Sequence, residues 1–176
     1  MLALPSLVAA VALMAPLIAA IVLSDLRTLR IPNRMVLVLF GIFLVTGLPL
    51  GLAGIDWGLP WDTFLWRIGY ALAAFGVGFG LYVLAGGNVG GGDLKLIAAV
   101  APFLSGSSVA SYLLLVALIA LGGLVLHWIV RKMLRGRQTG WESLDQNVYF
   151  PAGLALAVGL FVQLAVTLAS RLGAFA

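Results

Sequence analysis

Leu96–Val130 reads LIAAVAPFLSGSSVASYLLLVALIALGGLVLHWIV, 35 residues without a charge. One straight helix of that length would run ~52 Å. The hydrocarbon of a bilayer is only ~30 Å thick. Pro102 and the run Ser105-Gly106-Ser107-Ser108 divide the stretch. The predicted products are a short helix over 93–104 and a long one over 109–131. Outward from there, the uncharged stretches 1–24, 35–55, 68–92 and 146–170 each suit one span. Six spans result, at about 3–24, 34–54, 66–86, 93–104, 109–131 and 148–171. The expected fold is an all-α polytopic membrane protein, a single domain over 1–176 with a short fourth helix. No internal repeat is evident.

Composition points the same way. Apolar residues make up 63% of the 176, and charged residues 9%. Soluble domains have roughly 45–50% and about 25%. Mean hydropathy is +1.17. Ten basic and six acidic side chains cannot cover a water-soluble globule, so a soluble enzyme and a conventional nucleic-acid binder are excluded. The first apolar run lacks a basic start and is longer than a usual signal peptide core, so it is read as a span. With no cysteine, there is no disulfide, thiolate nucleophile or Cys-based metal site. With His127 as the one histidine, no site with two His ligands can form, and no metal is expected.

Orientation follows from the basic residues. Arg27, Arg30 and Arg34 lie in the first loop, Lys95 at the third, and Arg131, Lys132, Arg135 and Arg137 in the fifth. The second loop carries Asp56 and Asp62 with Arg67 alone. Basic loops face the cytoplasm, so both termini are expected outside. Trp57, Trp61 and Trp66 then mark the outer interface, and Trp128 and Trp141 the inner one. Gly69, Ala73, Gly76 and Gly80 share one face of the third span and read as a close helix contact. Gly153 and Gly159 in the last span are read the same way.

Most acidic residues have ordinary readings. Asp56 and Asp62 suit a solvated loop, and Glu142 and Asp145 balance the basic fifth loop or attract a basic substrate. Asp25 and Asp93 differ. Asp25 ends the first apolar run, and Asp93 follows Gly90-Gly91-Gly92 at the start of the short helix. In the expected topology both lie at cytoplasmic helix ends, so they can meet. A 12-residue helix covers ~18 Å, which draws Asp93 below the interface. Ionisable residues at membrane depth are costly and mark function. Two close carboxylates share a proton, the working state of an aspartic protease. Glycines before the acid leave backbone groups open to pair with an extended substrate. Lys95 can tune the pair or reach the lipid interface. Asn33 reads as the N-cap of the second span, and His127 as an interfacial residue. A Ser24–Lys95 dyad is a lesser alternative.

Gly90-Gly91-Gly92-Asp93, continued by Leu94-Lys95-Leu96, resembles the G-x-G-D segment of the prepilin leader peptidases, a family of GxGD intramembrane aspartyl proteases. Asp25-Leu26-Arg27-Thr28-Leu29-Arg30-Ile31-Pro32-Asn33 is similar to that family's first-aspartate segment. Tyr149-Phe150-Pro151-Ala152-Gly153 is a weaker match to the start of its last span. The resemblance covers most of the chain. It implies catalytic Asp25 and Asp93; Gly90, Gly91 and Gly92 at the substrate backbone, with Lys95 in support, are the reading of the residues themselves. It implies a bacterial cytoplasmic-membrane endopeptidase, active at the cytoplasmic face, that removes short basic leaders from prepilins or pseudopilins. Anionic lipids are expected as further partners of the basic loops. Long members also methylate the new N-terminus with S-adenosylmethionine through a cysteine-containing segment. This cysteine-free chain looks like the short type associated with tight-adherence pili, for which no methylation and no cofactor are expected. The competing reading is a small proton- or cation-coupled transporter using the same two aspartates. A structural subunit of a secretion machine is a third.

Overall fold

The computed structural model describes residues 1–52, 55–87, 90–134, 139–145 and 151–173. Seven helices account for nearly all of them: α1 (Leu4–Thr28), α2 (Asn33–Gly47), α3 (Trp61–Leu84), α4 (Gly91–Val100), α5 (Gly106–Met133), α6 (Glu142–Asp145) and α7 (Ala152–Arg171). A single 3₁₀ turn, Ala101–Phe103, extends α4. The chain is an all-α polytopic membrane protein. Helices α1, α3, α5 and α7 are long and apolar enough to cross a bilayer, and α2 is shorter, at 15 residues.

The 96–130 stretch breaks where expected. Pro102 sits inside the 3₁₀ turn, and α5 starts after Ser105, whose backbone N–H donates to Ser108 Oγ at 2.8 Å. Ten residues make α4 only ~15 Å long. It is nonetheless the hub, packed against α2, α3 and α7. Its Leu96, Ala98, Ala99 and Val100 are buried. Behind them Phe43 stacks on Phe64 at 5.6 Å and meets Phe103 edge-on at 5.4 Å. Helix α7 packs against α1 and α5, and α1 also against α2.

Two expectations change. The predicted second span, 34–54, ends early. Leu48 precedes Pro49 and is extended (ψ 128°), because proline disfavours helical backbone in the residue before it. An antiparallel pair, β1 (Leu50–Leu52) with β2 (Ile55–Trp57), follows. The second change concerns the third span. Gly69, Gly76 and Gly80 have nothing within 4 Å of where a side chain would start, so their face makes no helix contact among the described residues. The buried stripe of α3 is Phe64, Arg67, Ala71 and Gly78, on the opposite side. Gly78 lets Leu94 approach to 3.3 Å of its missing Cβ. The glycine stripe was legible, but the core faces the larger, hydrogen-bonding stripe instead. Gly159 does pack closely, against Val116 and Tyr112 of α5.

Arg135, Arg137, Tyr149 and Phe150, which the sequence reading singles out, lie outside the described residues.

Candidate active site

The site is built where the C-terminal end of α1, the turn into α2, and the N-terminal ends of α4 and α7 converge. Helix α1 continues past its apolar run to Thr28, so Asp25 lies in its last turn rather than beyond it. A carboxylate is disfavoured by the dipole at a helix C-terminus. Asp25 is compensated from another helix: its Oδ2 accepts the N–H of Leu154, in the first turn of α7, at 3.0 Å. That N–H has no partner within its own helix, and a helix N-terminus favours negative charge. Asp25 is only 4% exposed.

The turn after Asp25 is tightly specified. Leu29 adopts a left-handed conformation (φ 50°) that is uncommon outside glycine, and its N–H closes on the Asp25 carbonyl at 2.9 Å. Ser24 donates to the Arg30 carbonyl at 2.8 Å, so it belongs to this turn and not to a dyad with Lys95. The turn delivers Ile31, 7% exposed, between α4 and α7. A Cβ on Gly92 would lie 3.4 Å from the Ile31 Cβ. A Cβ on Gly153 would run into Ile31 Cδ1 and lie 2.9 Å from Asp25 Oδ2. Glycine is therefore required at 153 by the aspartate itself, where the sequence suggests helix packing alone.

Asp93 stands in the first turn of α4, opposite this wedge. Its carboxylate folds back over the helix start, so that a Cβ on Gly90 would come 2.7 Å from Oδ2. Asp93 is half-buried and accepts no hydrogen bond from any described residue. It follows Gly92, which packs on the same Ile31 that reaches Gly153 beside Asp25. A Cβ on Gly91 would lie 3.4 Å from the Tyr82 ring. Each glycine of the run thus has its own neighbour: the catalytic candidate, an aromatic ring and the Ile31 wedge.

Lys95 is two residues further along α4, and its Nζ donates to Asn33 Oδ1 at 3.0 Å. Asn33 is therefore not the cap of α2. Pro32, in extended backbone (φ −61°, ψ 138°), takes the cap position and Asn33 opens the helix. A cleft of about 480 Å³ runs beside the site, lined by Phe75, Phe79, Tyr82, Leu94 and the three glycines. Tyr82 and Ile31 escape sequence reasoning: both are ordinary apolar residues there, and their roles come from partners remote in sequence.

The fifth loop docks on the same end of the bundle. Ser143 Oγ donates to the Leu26 carbonyl, the residue after Asp25. His127 Nε2 lies 2.7 Å from the Ser143 carbonyl, so the histidine anchors α6 beside α5. Arg27 lies 5.5 Å over the Trp141 ring. Asp145 accepts from the Thr139 hydroxyl at 2.8 Å and from the N–H groups of Thr139 and Gly140. The Thr139 hydrogen bonds hold its carboxyl below the usual carboxylate range. Its described role is to organise the loop. Asp56 and Asp62 are exposed, far along α1 and α3 from this site. No cluster of three or more metal-ligating side chains occurs among the described residues.

Comparison with known proteins gives one match. A family model described as the type IV leader peptidase family matches residues 11–127. That range takes in both aspartates, the turn carrying Ile31 and the glycine run. No curated protein and no solved structure matches the chain.

Proposed function

Because the chain belongs to the type IV leader peptidase family, we propose that it is an aspartic endopeptidase that removes the short basic leader of prepilins or pseudopilins, with Asp25 and Asp93 as the catalytic pair. A peptidase acting on prepilin-type substrates is what the family implies. The finer reading rests above all on one observation: Ile31 packs both on Gly153, beside the Asp25 carboxylate, and on Gly92, next to Asp93, so the two acids flank one side chain.

The reaction needs no metal and no thiol. The pair holds one proton between two carboxylates, since like charges at close range do not both ionise readily. The ionised member accepts a proton from a water, whose oxygen bonds to the scissile carbonyl carbon. The protonated member donates to the carbonyl oxygen and gives a gem-diol. The C–N bond then breaks, the leaving amine takes a proton from the pair, and the new carboxyl stays on the leader. Protons and electron pairs balance, and the pair returns to its starting state. Asp25, held by the Leu154 N–H, is the fixed member, while Asp93 lies between Gly92 and Leu94, both of which line the cleft. The scissile peptide must be extended to react, and Gly90 to Gly92 form the cleft wall on which its backbone would lie.

The basic loops argue for a cytoplasmic site in a bacterial inner membrane. A leader is basic, so Glu142, exposed near this end, is placed to favour its approach.

The test is co-expression with a prepilin-like substrate and a mass measurement of the product. The parent chain should remove the leader. Asp25→Asn and Asp93→Asn should each lower the rate by at least ~10²–10⁴-fold, because an amide cannot exchange the proton, while helicity stays normal. Either variant retaining substantial cleavage would falsify the pair. Normal folding, no proteolysis and a lost ion flux in both variants would instead favour a transporter.

A further inference from the structure

The end of the bundle away from Asp25 and Asp93 holds a second polar cluster that the peptidase reading does not use. Arg67 lies in the buried stripe of α3 and is only 5% exposed. Its Nη1 donates to the Pro102 carbonyl at 2.9 Å, a group left open by the short α4. A guanidinium has five N–H donors, and no carboxylate bonds Arg67 among the described residues. Sealed side-chain nitrogens and oxygens all have partners among the described residues. The remaining Arg67 donors therefore reach open space.

That space is a cavity of about 30 Å³ lined by Arg67, Ser105, Ser108, Gln163 and Thr167. The Gln163 side-chain amide makes no hydrogen bond to a described residue. Ser105 and Ser108 belong to the capped first turn of α5, whose helix end carries partial positive charge. Arg171, ending α7, donates to the carbonyl of Leu2, which also lines the cavity, at 2.7 Å. A second cation thus stands beside the first with no described acid between them. A buried cation without an anion is costly in a membrane protein.

We infer that this cavity binds a phosphate group, either inorganic phosphate or the headgroup phosphate of an anionic phospholipid. The guanidinium fork matches phosphate oxygens. The space exceeds the ~10–15 Å³ that one water needs. The bound anion would tie α3, α5 and α7 together at the end where α4 stops short. The inference is independent of the peptidase reading.

The experiment follows thermal unfolding of the full chain in a non-ionic detergent. One arm titrates sodium phosphate against chloride at equal ionic strength. The other compares micelles doped with phosphatidylglycerol or phosphatidylcholine. Specific binding raises the midpoint in a saturating way. A rise with phosphate assigns a free anion, and a rise with phosphatidylglycerol but not phosphatidylcholine assigns a lipid headgroup. Arg67→Gln should abolish the shift. Gln163→Leu, which leaves the Arg67–Pro102 bond in place, should raise the half-saturating concentration about tenfold, the loss expected for one hydrogen bond to a charged group. No saturating shift in either arm, or an unchanged titration curve in Gln163→Leu, overturns the site. If Arg67→Gln does not fold, the Gln163→Leu curve decides alone.

Discussion

At the scale of single residues, the site depends on small side chains as much as on acids. Gly90 is the sharpest case. A methyl group there would sit 2.7 Å from Asp93 Oδ2 and could be relieved only by turning the carboxylate. The backbone at Gly90 is at φ −59°, so alanine is not strained. Gly90→Ala should therefore change stability by less than ~1 kcal/mol, yet lower the cleavage rate by ~10-fold or more, since misplacing a reacting group by about 1 Å can cost ~10²-fold. Rates and unfolding midpoints measured together would show this split; equal loss in both would place Gly90 in folding only. Gly153→Ala should fail in both, because its methyl would meet Ile31 and Asp25, neither of which has room to move. The two aspartates were legible from the sequence, since a carboxylate flanking an apolar run is costly without a use. The Asp25–Leu154 hydrogen bond was not. It joins positions 129 apart, and no local pattern encodes which helix N-terminus will meet which acid.

At the scale of elements, Ile31 packs between the N-terminal ends of α4 and α7. It occupies the space opened by Gly92 and Gly153 and is 7% exposed. Ile31→Ala should destabilise the fold by ~2 kcal/mol or more and reduce cleavage further than the loss of folded protein explains. Ile31→Leu, nearly equal in volume, should cost less than ~1.5 kcal/mol. Thermal unfolding beside single-turnover cleavage would separate the effects. A well-folded, fully active alanine variant would remove the wedge from the account. Element boundaries were legible where proline or a serine–glycine run interrupts apolar sequence, as at Pro102 and Ser105. The end of α2 was missed because hydropathy was followed across Pro49, which stops the helix at Gly47. The α3 contact face was missed for a related reason. Small residues mark where helices can approach, but α4 is placed by Phe64, Ala71 and Gly78.

At the scale of the whole molecule, the helices separate two polar ends, and the peptidase reading requires a particular one to face the cytoplasm. Asp25, Arg27, Trp141 and Ser143 gather at one end. Asp62, Arg67 and Leu2 mark the other. The proposed substrate, a cytoplasmic leader, requires the first end inside, as does the excess of Lys and Arg in the first and fifth loops. The absence of cysteine makes this directly measurable, since any introduced thiol is the one that reacts. Asp62 and Glu142 are exposed and lie at opposite ends. Asp62→Cys should react with a membrane-impermeant maleimide in intact cells, and Glu142→Cys only after the membrane is opened. The reverse pattern would put both aspartates outside. A basic leader held in the cytoplasm could not then reach them, and the proposed substrate would fail even if the carboxylate pair proved active. Labelling therefore tests the substrate separately from the chemistry: the two asparagine variants probe the acid–base pair, while the two cysteines determine which side of the membrane that pair can serve.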